Sequence, residues 1–254
     1  LHVKSIVAAL CNREHTVHAL FDPRWSKYEG GLDAVHEYEK DFPTFSHEFS
    51  LRRNDWWNTP LFYAREILSY RRYVKITIER QSDYYKDRYE AYLPNFFRAF
   101  LRMPYARVFV KTAFLGWALT LVERIAPPDK YIIAAIKQYA PDFFLASPVD
   151  LRFASSELEY LKAAKALGVP SAVPVASWDN LTTKGLIHVF PDWLFVWNDV
   201  QEEEAVLHQN FPRDRIRIIG APMFDGWFSN VRPSLTREEF CRTHGLRAED
   251  PIIV

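Results

Sequence analysis

The chain has 254 residues, of which 48% are hydrophobic and 25% charged, and its 32 basic and 32 acidic residues balance to a formal net charge of zero. This composition is typical of a globular protein with a sizeable core, and the balanced charge excludes a chain-wide basic field for nucleic acid. The 8 glycines form no G-x-G pattern and no Gly-Lys-Ser/Thr string, which excludes the dinucleotide fingerprint and the P-loop. Two cysteines, Cys11 and Cys241, are too few for a disulfide framework or a cysteine-based zinc site.

The amino-terminal 50 residues alternate between helical and strand patterns. We predict a helix over 2–13, a strand over 15–21, a helix over 31–41 and a short strand over 47–51. Such alternation is typical of a parallel sheet with crossover helices. The chain begins at Leu1 inside a helical pattern and ends as a buried strand would open, so we expect it to be a fragment of a longer protein.

A long aromatic and helical insertion follows, at about 52–128, and Pro127 and Pro128 end it. Its part 95–124 interleaves Phe, Tyr and Trp with Arg98, Arg102, Arg107 and Lys111. Basic and aromatic residues on one helix are typical of a membrane interface, so we expect a peripheral membrane contact through 95–124. The alternative is a helical cap whose aromatic side chains pack on the sheet or on a second copy of the chain.

The longest uncharged apolar run, 112–122, is shorter than the roughly 20 residues that span a bilayer. With no signal peptide visible, we expect a cytoplasmic protein, peripheral on the inner face of the plasma membrane.

Strand and helix patterns resume after the insertion. We predict strands over 142–146, 171–176, 193–197 and 215–219, and helices over 129–139, 156–167, 200–210 and 236–244. The fold class is therefore α/β, a Rossmann-like doubly wound parallel sheet with a long helical insertion. Ligands of such sheets bind at the carboxyl ends of the strands, so the loops after the strands are the candidate sites.

Three of these loops carry polar chemistry. The first holds Arg152 before the cap of the next helix, where an anion is favoured, although Arg152 could equally pair with a surface carboxylate. The second, 177–185, is dense in hydrogen-bonding groups. Asp179 is its candidate general base, and the candidate substrate-binding residues are Arg152, Ser177, Trp178, Asn180, Thr182, Thr183, Lys184 and the nearby His188.

Local turn chemistry offers an alternative for the second and third loops. Asp179 and Asn180 could form an Asx-turn while Lys184 is simply solvated. The third loop, with Gly220, Pro222 and Asp225, reads as a sharp turn that leads into a linker.

The string S-W-D-N-L-T-T-K-G at 177–185 and the string G-A-P-M-F-D at 220–225 resemble motifs of GT-B-type transferases of bacterial surface polysaccharides. They are similar to the T-W-H-G-T-P-L-K and G-Y-P-R-N-D strings of CDP-glycerol glycerophosphotransferases. Ser177, Trp178 and Lys184 match the first motif, while Gly220, Pro222 and Asp225 match the second. The resemblance covers about 140–228. Asp179 stands where the family has a histidine, which argues against transfer of glycerophosphate itself.

The resemblance implies a glycosyltransferase that moves a sugar from a nucleotide-sugar donor to a polysaccharide or lipid-linked acceptor. It implies an acceptor-side domain over 1–228, with a linker and the first element of a donor-binding domain over 229–254. The alternatives are a glycerophosphotransferase, a nucleotide-sugar 2-epimerase, and a non-catalytic carbohydrate-binding or membrane-docking protein. We expect no metal cofactor, because the five amino-terminal histidines are scattered along the sequence (His2, His15, His18, His36 and His47).

Overall fold

The computed structural model describes residues 3–23, 32–80, 90, 93–146, 156–229 and 232–252. The chain is an α/β protein with parallel sheets. Its amino-terminal part contains α1 (Lys4–Cys11), β1 (Val17–Phe21), α2 (Asp33–Asp41) and β2 (Phe45–Phe49). The insertion contains α3 (Asn58–Arg80), α4 (Asn95–Leu101), α5 (Ala106–Lys111) and α6 (Ala113–Ile125).

The second half contains the larger sheet and its helices. These elements are α7 (Lys130–Tyr139), β3 (Phe144–Leu145), α8 (Ser156–Ala166), β4 (Ser171–Pro174), α9 (Asn180–Thr183), β5 (Trp193–Val196), α10 (Asp199–Gln209), β6 (Ile216–Ile218), α11 (Asp225–Ser229) and α12 (Arg237–His244). Short 3₁₀ turns at Arg213–Arg215 and Pro222–Phe224 flank β6.

The sequence predicted one continuous sheet, whereas the described residues form two. Strands β1 and β2 pair in parallel, with Val17 opposite Phe45. Strands β3, β4, β5 and β6 form a separate parallel sheet in that order. Strand β3 has only two residues, so it offers few hydrogen bonds along its free edge. The two sheets are instead joined through side chains, since Leu20 of β1 packs on the apolar cluster between α7 and α8.

Side-chain caps explain why several helices begin where they do. Asp129 accepts hydrogen bonds from the backbone N–H groups of Tyr131 (2.8 Å) and Ile132 (3.1 Å) at the start of α7. At the start of α10, the Asn198 side chain accepts from the N–H of Gln201 at 3.0 Å. Such caps satisfy the free donors of a helix start and are worth about 1 kcal/mol each.

The insertion has an apolar core of its own, built around Tyr70, Tyr73, Phe97 and Val110. The predicted helical character of this region is confirmed for its described part. Buried charges, rather than apolar side chains alone, connect it to the larger sheet. Glu159 of α8 lies 2.8 Å from Arg53 and 2.8 Å from Arg65, and all three side chains are buried.

The carboxyl-terminal stretch departs from the sequence prediction. Ile252, the expected start of a strand, is not part of one, and residues 253 and 254 lie outside the described residues. Among the helices of the described part, none is long and apolar enough to cross a membrane.

Candidate functional site at the carboxyl end of strand β4

The predicted second loop lies at the carboxyl end of β4, an inner strand of the larger sheet. Asp179 is its centre. Its Oδ1 accepts a hydrogen bond from the Ser177 hydroxyl and its Oδ2 accepts one from the Thr183 hydroxyl, both at 2.7 Å. The Lys184 Nζ lies 3.5 Å from Oδ2. The structure therefore gathers three of the predicted substrate-binding residues around the carboxylate of the predicted base.

The electrostatics of this cluster favour an ionised Asp179. Partial burial raises the pKa of Asp179, but hydrogen bonds from Thr183 and Ser177 and the charge of Lys184 outweigh burial and lower it below the ordinary value of 3.8. The Asp179 side chain keeps 21% of its surface exposed, and that of Lys184 keeps 25%. A ligand can thus reach a carboxylate and an ammonium group side by side.

The remaining residues of the loop have distinct positions. The Asn180 Oδ1 accepts from the backbone N–H of Ser177 at 2.6 Å, so this side chain shapes the turn. The bond is not that of an Asx-turn, in which the side-chain oxygen accepts from the N–H two residues later. Thr182 donates to the backbone carbonyl of Asp179 at 3.3 Å. Trp178 points to solvent and is 72% exposed. An exposed indole beside a charged cluster is available to stack on a ligand.

Helix α3 of the insertion holds this loop in place, which the sequence did not reveal. Arg72, itself buried, donates to the carbonyls of Leu181 (3.0 Å), Thr182 (2.5 Å) and Lys184 (2.9 Å). The Tyr73 hydroxyl donates to the Lys184 carbonyl as well. These contacts join residues about 110 positions apart, and no local pattern signals them.

Arg72→Lys is expected to lower the free energy of unfolding by about 3 kcal/mol, because one ammonium cannot reach all three buried carbonyls and unpaired ones cost about 1–3 kcal/mol each. Urea denaturation measures this change. Arg102→Lys, at an exposed position of the insertion, is the matched control. A loss for Arg72→Lys no larger than that of the control would show that the loop does not depend on α3.

His188 contacts α3 through Ser69. The Ser69 Oγ accepts from the Leu186 N–H at 3.0 Å and lies 3.2 Å from the His188 Nε2. Burial, then the charge of Arg65, lowers the pKa of His188 to about 3. The imidazole is therefore neutral at physiological pH and shares a hydrogen bond with the Ser69 hydroxyl.

The third loop reaches the same edge of the sheet. Gly220 has a φ of +79°, a conformation that favours glycine. The Pro222 carbonyl accepts from the Ser5 hydroxyl of α1 at 2.8 Å. A depression beside the third loop, at the carboxyl end of β4, is lined by Val3, Val175, Trp197 and Pro222, among others. Asp225 is exposed at the start of α11. Arg152, predicted in the first loop, lies outside the described residues.

The sequence suggested that the amino-terminal histidines are scattered, but two of them lie close together in the structure. His36 and Glu39 are three residues apart on α2, and both lie beside His47 of β2. The H-x-x-E spacing on a predicted helix was the available signal, because residues three apart share a helix face.

The Asp179 cluster has the chemistry of a site that binds a hydroxylated, negatively charged ligand. Its carboxylate accepts protons, its lysine attracts anions, and its hydroxyl groups and indole suit a sugar ring. Comparison with known proteins adds no identity, since no protein-family model, curated protein or solved structure matches the chain.

Proposed function

We propose that the protein transfers a sugar from a nucleotide-sugar donor to a hydroxyl group of a saccharide or lipid-linked acceptor, with Asp179 as the general base. One observation carries this proposal: an ionised, solvent-reachable Asp179 lies beside Lys184 at the carboxyl end of an inner parallel strand. Ligands of open parallel sheets bind at this edge. The resemblance of 177–185 and 220–225 to GT-B transferase motifs supports the same reaction class.

The reaction needs one proton acceptor and one electrophile. The acceptor hydroxyl gives its proton to Asp179 while its oxygen forms a bond to the anomeric carbon of the donor. The bond from that carbon to the phosphate oxygen breaks, and the nucleoside diphosphate leaves with the electron pair. A carboxylate with a low pKa is a weak base in isolation, so proton transfer must accompany bond formation. Lys184 is placed to attract the phosphate-bearing donor.

The domain roles follow from the same resemblance. We assign the acceptor side to 1–228, with Gly220, Pro222 and Asp225 at the turn that leads to the linker. In GT-B enzymes the donor nucleotide binds mainly to the carboxy-terminal domain. The proposed reaction uses no metal ion at the Asp179 cluster.

Ligand binding and product formation together test the proposal. The natural protein that contains this sequence is incubated with UDP-, GDP- and CDP-linked sugars, and its melting temperature and products are measured. A ligand at 100 times its Kd stabilises a folded protein by about 2.7 kcal/mol. We expect one nucleotide class to stabilise the protein and a glycosylated acceptor to appear in the mass spectrum. Transfer from CDP-glycerol, or epimerisation of the donor without transfer, would replace this reaction with one of its alternatives. Stabilisation by saccharides alone, without any nucleotide, would favour a carbohydrate-binding protein.

A second function, membrane docking, is favoured by the exposed face of α6. Phe114 is 66% exposed and Trp117 is 60% exposed, and Leu121 and Ile125 continue the same stripe. The spacings of 3, 4 and 4 residues place these four side chains on one face of the helix. Exposed Tyr105, Val108 and Phe109 of the neighbouring α5 add further apolar surface. The part of the insertion that packs inward leaves this face uncovered.

Charge indicates which partner suits this face. Over 95–125 the sequence has five basic residues (Arg98, Arg102, Arg107, Lys111 and Arg124) and one acidic residue, Glu123. Glu123 is engaged internally, since its carboxylate pairs with Arg65 at 2.7 Å and with Lys162 at 2.9 Å. Aromatic side chains among an excess of basic residues complement an anionic bilayer. Helix α3 packs on α6 and also holds the Asp179 loop, so docking would bring the site near a lipid-linked acceptor.

Replacing Phe114 and Trp117 together with serine is expected to weaken binding to phosphatidylglycerol-containing vesicles by about tenfold or more. Burying one large apolar side chain is worth about 1.5–3 kcal/mol. Vesicle flotation measures the bound fraction. Trp227→Ser is the matched control, because Trp227 is equally exposed but lies on α11. Equal flotation of all three proteins, or no flotation of the wild type, would remove membrane docking.

A further inference from the structure

Helix α2 and strand β2 bring two imidazoles and one carboxylate together. The His47 Nδ1 lies 2.6 Å from the Glu39 Oε1, and the His36 Nδ1 lies 3.4 Å from the Glu39 Oε2. The three nearest ligand atoms all lie within 4.8 Å of one another. None of these residues belongs to the Asp179 cluster.

Local structure explains why these side chains meet. His36 and Glu39 are separated by about one helical turn and therefore lie on the same face of α2. His47 is two residues after Phe45 and therefore lies on the same face of β2, and Phe45 is buried in the apolar cluster that α2 covers. The imidazole of His47 consequently faces α2, where its ring lies 5.6 Å from that of His36.

We propose that His36, Glu39 and His47 bind a divalent transition-metal ion, with Zn²⁺ as the representative ion. Imidazole nitrogens and a carboxylate oxygen are ligands that Zn²⁺ accepts in proteins, and sites with three protein ligands keep a position for water. Glu39 and His36 remain open to solvent, so an ion can enter and retain that water.

The two separations from Glu39 to the histidines are close to those of a tetrahedral ion, and the ligand atoms of His36 and His47 lie within 4.8 Å of each other. Metal–ligand bonds of about 2.0–2.1 Å at tetrahedral angles place neighbouring ligand atoms about 3.3 Å apart. The His36 and Glu39 atoms already have this separation, at 3.4 Å. The His47 and Glu39 atoms, now 2.6 Å apart, must separate by roughly 0.7 Å, which a small side-chain rotation supplies.

The Glu39 carboxylate is the partner that His36 and His47 share. Both histidines present the same nitrogen, Nδ1, to this one group. A bound ion replaces the Nδ1 protons of both imidazoles and connects α2 to β2. It acts as a cross-link within the β1–α2–β2 unit, independently of any transferase activity.

Zinc binding to the chelator-treated protein tests the proposal directly. Isothermal titration calorimetry with ZnCl₂ is expected to show one equivalent bound, and Co²⁺ is expected to give the intense visible absorption of a four-coordinate site. His36→Gln and His47→Gln should each weaken binding at least about 100-fold, since even outer-shell partners are worth 10–100-fold. His15→Gln, at an exposed histidine outside the cluster, is the matched control.

Two outcomes would overturn the proposal. One is the absence of wild-type binding at millimolar Zn²⁺, which would leave a pair of histidine–glutamate hydrogen bonds. The other is equal binding by wild type, His36→Gln and His47→Gln, which would place the ion elsewhere. Glu39→Gln, at a partly exposed position, provides a third variant in case His47→Gln unfolds, and circular dichroism verifies the fold of each protein. Because no transferase substrate enters this experiment, its result is independent of the proposed transfer reaction.

Discussion

Asp179→Asn is expected to lower kcat of the transfer reaction about 10²–10⁴-fold, the usual contribution of a general base, with little change in the KM of the acceptor. Asparagine has nearly the same shape and retains an oxygen that can accept from Ser177 or Thr183, both of which now bind the carboxylate at 2.7 Å. It lacks the negative charge and cannot take the proton. Steady-state kinetics with the donor and acceptor found by the screen separate the two constants.

The control for this experiment is Asp142→Asn. Asp142 is exposed and precedes β3, whereas Asp179 follows a strand. It should leave both constants unchanged. Full activity of Asp179→Asn would remove Asp179 as the base. A rise in acceptor KM with unchanged kcat would instead assign Asp179 to binding alone.

The pH profile gives an independent signature of the base. Thr183, Ser177 and Lys184 outweigh burial and lower the pKa of Asp179, so its basic form persists below the ordinary pKa of an aspartate. We expect kcat/KM to show no acid limb between pH 5 and 8. A limb near the ordinary histidine pKa of about 6.5 would point to a histidine instead. His188 cannot produce such a limb, because burial and Arg65 lower its pKa to about 3.

Glu159→Gln is expected to lower the free energy of unfolding by about 3 kcal/mol, since two buried guanidinium groups lose their shared carboxylate and each charge-assisted hydrogen bond is worth about 1.5–3 kcal/mol. Arg53 keeps its ion pair with Asp55, and Arg65 keeps its ion pair with Glu123. Arg53 and Arg65 each lie 2.8 Å from this carboxylate, and at most 8% of any of these side chains is exposed. The melting temperature should fall by roughly 10 °C. Calorimetry measures the change.

Glu249→Gln is the matched control, because Glu249 forms an ion pair with Arg247 at the surface, where such pairs are worth about 0–1 kcal/mol. A loss for Glu159→Gln as small as that of the control would show that water replaces the missing charge.

Low pH should destabilise the same network of buried charges. Burial raises the pKa of Glu123, but its bonds to Arg65 and Lys162 outweigh burial and lower it below 4.5. The stability that Glu123 contributes is therefore present above its ordinary pKa and is lost as the pH falls through the lowered value.

Much of the local structure could be predicted from the sequence because it depends on neighbours in the chain. Helical periodicity predicted α7 and α10, and the polar residue that directly precedes α10, Asn198, caps it. The second loop could be located because it follows an apolar strand, and parallel strands carry their ligand loops at their carboxyl ends. Ser177, Asp179 and Thr183 meet because they are at most six residues apart.

By itself, therefore, the sequence determined the α/β class, the helical insertion and the identity of the groups in the Asp179 loop. Tertiary structure alone decided that Arg72 holds this loop, that Glu159 joins the insertion to the sheet, and that His47 meets α2. It also divided the strands into two sheets and left the aromatic face of α6 exposed. The physical reason is distance along the chain: periodicity and capping report on a few neighbouring residues, whereas these contacts join groups separated by up to about 110 positions and depend on how whole elements pack.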